Sequence, residues 1–106
     1  MVRRKIIRDF GQQIGHEFGA RKVVLFGSYA NGRPSADSDV DILVILPFEG
    51  KSIHQSVRMR MQLRPQFPLD LIVRTPEQVR RRLEMGDPFM REVLEEGKVL
   101  YEADRR

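Results

Sequence analysis

Two aspartates, Asp39 and Asp41, stand two residues apart at the head of the β-branched and aliphatic run 40–46. Side chains alternate along an extended chain, so both carboxylates fall on one face, about 6.6 Å apart along the strand. Val40 and Ile42 then point the other way, into a core. Two carboxylates held this close repel, and one keeps its proton unless a cation stands between them. Hard oxygen ligands suit Mg²⁺, which binds through one or two carboxylates plus substrate phosphates. Asp70 is a third acid, flanked by Leu69 and Leu71 in another strand-like run. An acid there is costly if buried without a partner. Should its strand lie beside the first, all three carboxylates converge. Three acids can hold two metals roughly 3.5–4 Å apart, the arrangement used for in-line phosphoryl displacement.

Gly27 and Ser28 close an earlier apolar run, 23–26. Glycine lets a backbone come close to a phosphate. Serine adds a hydroxyl and an N–H, and a helix starting there would add its positive end. Each piece also has a plainer reading. Asp-x-Asp is common, Gly-Ser after a strand is usually a turn, Asp37 and Ser38 can cap a turn, and Asp70 can be an edge-strand acid facing water. The combination is far rarer: a strand, Gly-Ser, ten residues, Asp-x-Asp opening a second strand, then an acid in a third strand after one helix.

The elements that must position these groups are legible. Ile6, Ile7, Phe10, Ile14 and Phe18 form one apolar stripe, which predicts a helix over 3–18 that stops at Gly19. Strands follow at 23–26 and 40–46, separated by a turn-rich segment with at most a short helix. Ser52 can cap a second helix whose apolar face is Ile53, Val57 and Met61, flanked by Met59 and Leu63, and which Pro65 ends. A third strand covers 69–73. Thr75, Pro76 and Gln78 make a strong helix start, with a capping residue, proline at the first position and an amide three residues on. Gly86 breaks that helix. Asp87 and Pro88 restart another, with Phe89 and Val93 facing inward, and Gly97 ends it. Residues 99–101 suit a last short strand. This order is α/β, a small sheet covered by helices.

The 106 residues make one domain with one modest core, since a chain of this size buries roughly two-thirds of its unfolded surface. No cysteine is present, which excludes disulfides, thiolate metal sites and cysteine nucleophiles. The longest apolar run is 42–46, far short of the ~20 residues that span a bilayer. No membrane association is expected, and a soluble, cytoplasmic protein is. Net charge is +4, and fifteen of nineteen basic residues are arginine, which suits a phosphate-bearing partner or simply a solvated face. Arg58, Arg60 and Arg64, and the run Arg80 to Arg82, are read as solvated. Met59, Met61, Met85 and Met90 are read as core filler. His16 and His54 stand far from the acids and are not counted as ligands.

The pattern G-S-x10-D-x-D resembles that of the polymerase-β-like nucleotidyltransferases, and the short chain resembles their minimal nucleotidyltransferase (MNT) form. The resemblance runs nearly the whole length, including the closing segment 95–101. It implies a polymerase-β-like fold with a small mixed β-sheet flanked by helices, as a single domain over 1–106. It implies that Gly27 and Ser28 bind the triphosphate of ATP or another NTP, with Ser38 beside them as a further nucleotide-binding residue. Asp39 and Asp41 would hold two Mg²⁺ ions, and Asp70 would ligate the catalytic one and help deprotonate the incoming hydroxyl. Attack on the α-phosphate releases pyrophosphate. Where the family often carries arginine, this chain has Asn31.

The nucleotide unit occupies nearly every residue, so the acceptor is expected on another molecule. By resemblance that partner is a HEPN-type toxin, with this chain as the antitoxin that moves AMP onto it. Two other classes compete. One is an antitoxin or binding module acting by contact alone, which has no need of four converging polar groups. The other is a small basic RNA-binding domain, which lacks stacking aromatics in a basic setting, so nucleic acid is not the expected partner.

Overall fold

The computed structural model describes residues 1–104. Four strands form one mixed sheet between two helical layers. The chain runs α1 (Arg4–Phe18), β1 (Lys22–Phe26), β2 (Val40–Ile45), α2 (Ser52–Leu63), β3 (Leu69–Arg74), α3 (Pro76–Glu84), α4 (Pro88–Glu96) and β4 (Lys98–Glu102). The strand order is β3-β2-β1-β4. β1 pairs antiparallel with both β2 and β4, whereas β2 and β3 run parallel, joined through α2.

Period-two alternation sorts the strand residues onto two faces. Val23, Leu25, Val40, Ile42, Val44, Leu71 and Val73 pack with Ile7, Phe10 and Ile14 of α1 and Met59 and Leu63 of α2. Val24, Leu43 and Ile45 pack on the opposite face with Val79 of α3 and Met90 and Val93 of α4. β2 is covered on both faces, which is why its run is almost uniformly apolar. The one polar interruption within it is Asp41.

The helix ends follow the sequence. α1 stops at Gly19, which is left-handed (φ 62°) and donates its N–H to the Gly15 carbonyl. Gly11 and Gly15 let α1 lie directly on β4, because a methyl at either would collide with Leu100 or the Tyr101 ring. At α3, Thr75 Oγ1 accepts from the Gln78 N–H at 3.0 Å, and Gln78 Oε1 accepts from the Thr75 N–H at 3.0 Å, a complete capping box. Asp87 caps α4, accepting from the Phe89 N–H at 2.9 Å.

Several expectations are corrected. Of the residues expected on the apolar face of α2, Met59 and Leu63 point inward, joined by Ser56, whereas Ile53, Val57 and Met61 lie in solvent. Met59 and Leu63 join the core formed by α1 and the sheet. Lys51, not Ser52, occupies the cap position, and Ser52 is the first helical residue. Met61 and Met85 are exposed, so only Met59 and Met90 fill the core. Ile6 and Phe89 are also about half exposed, since neighbours on the same helix, Ile7 and Met90, take the inward positions. Among the described residues no helix is long and apolar enough to cross a membrane.

Candidate active site

Asp41 and Asp70 are register partners on the parallel pair β2–β3. They share a face and sit at the N-terminal ends of their strands. Asp39 lies two residues before Asp41, just ahead of β2. Asp41 is half-buried, while Asp39 and Asp70 are exposed. Val40 and Ile42 are fully buried on the other face, so the strand carrying the acids is anchored from behind.

The electrostatics follow from this placement. Asp41 is pushed up from 3.8 to about 6, first because burial removes water from its carboxylate. The charges of Asp70 and Asp39 raise it further, and so does a side-chain hydrogen bond with Asp70. Near neutrality the site is therefore an anionic cluster whose inner member is short of counter-charge.

Gly27 closes the site from the β1 side. It follows Phe26, the register partner of Asp41, and its φ of 74° lies in the left-handed region. A Cβ at position 27 would collide with Asp41 Oδ2 and stand 3.1 Å from its Cγ. The glycine is thus required twice, by its backbone angle and by the carboxylate lying over it.

The segment after Gly27 curls into turns; no helix begins there. The Gly27 carbonyl accepts from the N–H groups of Ala30 (3.0 Å) and Asn31 (3.1 Å), and the Ser28 carbonyl accepts from the Arg33 N–H (3.0 Å). Ser28 is half-buried in the first turn. The segment is a turn, as its composition suggested, so no helix dipole is added and an anion here would rely on the turn's N–H groups and the serine hydroxyl. Asn31 Oδ1 accepts from the Arg33 N–H at 3.0 Å and tightens the same loop. Ser38 supports the backbone: its Oγ accepts from the Ser35 N–H at 2.9 Å, closing the turn that feeds Asp39 into β2.

Among the described residues no three histidine, aspartate or glutamate side chains are already gathered as a metal cage. The donor set is instead a carboxylate pair with a third acid nearby. Such a set suits a hard divalent cation whose remaining ligands come from phosphate and water.

Two aromatic residues were not legible as part of this site. Phe26 meets Phe89 edge-to-face, with ring centroids 5.6 Å apart. Together with Gly27, Asn31, Glu92 and Glu96 they line a cavity of about 660 Å³ beside the turn. Periodicity places Phe26 in a strand and Phe89 on a helix, but no local pattern shows that the two meet. The histidines lie elsewhere, and His16 on α1 packs against Tyr101 at 5.1 Å.

The family described as polymerase beta, nucleotidyltransferase matches residues 12–106. A candidate protein adenylyltransferase of Methanocaldococcus jannaschii is 31% identical over 103 residues, covering 95% of this chain and all of that protein. The crystal structure of a candidate nucleotidyltransferase from Sulfolobus solfataricus superposes with a TM-score of 0.63 at 19% identity, over 92% of this chain and 78% of that one. The last likeness shows the fold.

Proposed function

Since the chain belongs to the polymerase-β nucleotidyltransferase family, we propose that it moves a nucleoside monophosphate, AMP drawn from ATP, onto a hydroxyl of a partner protein. The observation that carries this reading is the in-register pair Asp41–Asp70 beside a glycine that the Asp41 carboxylate itself excludes from bearing a side chain. A structural acid would not be held half-buried against two like charges. The likeness to a candidate protein adenylyltransferase, matched over its full length, supports a protein as acceptor.

In this reading the backbone at Gly27, the Ser28 hydroxyl and the neighbouring turn meet the triphosphate, with Ser38 fixing the approach of Asp39. The cavity between Phe26 and Phe89 adjoins Gly27 and is large enough for the nucleoside. Asp39, Asp41 and Asp70 hold magnesium, which when bound neutralises charge developing on the transferred phosphoryl group. Asp70, the more open of the paired acids, takes the proton of the incoming hydroxyl. The hydroxyl oxygen bonds to the α-phosphorus, and the bond to the bridging oxygen breaks, releasing pyrophosphate. The further step, that the partner is a HEPN-type toxin and this chain its antitoxin, rests on the sequence's resemblance to the minimal nucleotidyltransferases.

The test uses ATP labelled on the α-phosphate, Mg²⁺ and the co-expressed product of the neighbouring gene. Label is expected on the partner protein, and none with Asp39→Ala or Asp41→Ala, provided both variants melt as folded proteins. Labelling by those variants at the wild-type rate would remove the acids from the chemistry. Neutralisation of the partner without label would favour action by contact alone.

A further inference from the structure

The helix α2 turns its most apolar stripe outward. Ile53, Val57 and Met61 recur every four residues and are 64%, 48% and 72% exposed. Single exposed apolar residues are ordinary, but a contiguous stripe on one helix face marks a contact surface. The stripe leads into a groove. Ile53 also lines a cavity of about 750 Å³ along the free edge of β3, between α2 and α3, and Met85, 73% exposed, lines it too.

The charged residues of the lining are all positive, beside neutral Ser52, Ser56 and Gln78. Arg74, Arg81 and Arg82 all line the groove. The Arg74 guanidinium is held below its ordinary value, first by burial and then by the charge of Arg82 beside it. Asp87, 3.6 Å from Arg82, offsets only part of that charge. An apolar floor under crowded arginines suits an occupant that brings carboxylates beside aliphatic side chains.

Two other modes of filling are disfavoured. A strand added to the edge of β3 would need its outward carbonyls, but Leu69 O accepts from the Arg60 guanidinium and Val73 O accepts from Arg74 Nη1 at 2.8 Å. A second copy docking through the same face would set arginines against arginines. We propose that this groove docks a helix of a partner protein carrying acidic residues along an apolar stripe. From Ile53 to Met61 the stripe is about 12 Å long at 1.5 Å per residue, enough for about two turns of such a helix. Docking itself requires no nucleotide and does not depend on the transfer chemistry.

The experiment measures fluorescence anisotropy of labelled synthetic helices against the intact chain. The principal probe is an eighteen-residue helix with a leucine stripe flanked by glutamates. Controls replace the glutamates with lysines or the leucines with alanines, and a single-stranded RNA of twenty nucleotides represents the other polyanion class. The acidic apolar helix should bind at least about tenfold tighter than either peptide control and than the RNA. Arg81→Glu and Val57→Asp, both at exposed positions, should each weaken it by about tenfold while leaving the circular dichroism spectrum and melting temperature unchanged. Asp41→Asn should bind the helix as wild type does, which separates docking from catalysis. The proposal fails if RNA or the leucine-free acidic peptide binds as well, or if neither variant weakens the complex. It also fails if sedimentation shows two copies of the chain associating through Val57.

Discussion

The Cα of Gly27 and the carboxylate of Asp41 face each other across the β1–β2 pair with no room for a methyl group between them. Both the turn that would meet phosphate and the acid that would meet metal depend on that gap. Gly27→Ala should therefore push the Asp41 carboxylate out of place and strain a backbone angle of 74°. A stability loss of about 1 kcal/mol is expected from the positive φ. The turnover number should fall about a hundredfold or more, well beyond what that loss of stability explains. Thermal melting and single-turnover labelling together check both.

Asp41→Asn should make the protein more stable and inactive. A carboxylate lifted from 3.8 to about 6, partly screened by solvent, costs the fold about 1 kcal/mol at neutral pH. Asparagine keeps the shape and removes the charge. Urea denaturation at pH 7 should show the gain, and the labelling assay the loss. Equal or lower stability of the variant would mean that Asp41 is not strained by its neighbours.

Asp41 binds a proton more readily in the folded protein than in the unfolded chain, because about 6 lies above 3.8. Its destabilising effect is thus full above pH 6 and fades as pH falls toward 4. In the metal-free protein its side-chain carboxyl carbon should titrate near pH 6 by NMR. Adding Mg²⁺ at pH 6 should displace roughly half a proton per molecule, detectable in a weakly buffered solution. Asp41→Asn should release none. Activity should fall as pH drops below 6, since the protonated acid no longer competes for metal.

Phe89→Ala should raise the KM for nucleotide about tenfold with little change in melting temperature. The ring is 46% exposed, so its removal opens no sealed cavity, but it takes away one wall of the pocket beside Gly27. Phe89→Leu should recover only part of the affinity.

Met59→Ala should cost about 2–5 kcal/mol, and Met61→Ala under about 0.5. Met59 is fully buried against the sheet, and Met61 two residues on is 72% exposed. Chemical denaturation of the two variants checks the orientation of α2 directly.

Sequence alone determined the elements and most of their ends. Thr75, Pro76 and Gln78 act within a single turn, so their capping box needs no distant partner to be read. Asp39-x-Asp41 carries its common face in its spacing, because alternation along a strand is local. The spacing of Gly27-Ser28 to Asp39-x-Asp41, which carries the family pattern, is readable in the same way. Tertiary structure decided what no local rule ranks. α2 carries apolar residues on two sides, and packing against α1 and the sheet selects Met59 and Leu63 over Val57 and Met61. The partnership of Asp41 with Asp70 required β3 to lie parallel to β2 in one register. Phe26 and Phe89 meet because α4 crosses β1. In each case the deciding contact joins residues far apart in the chain, and its energy exists only once the sheet has closed.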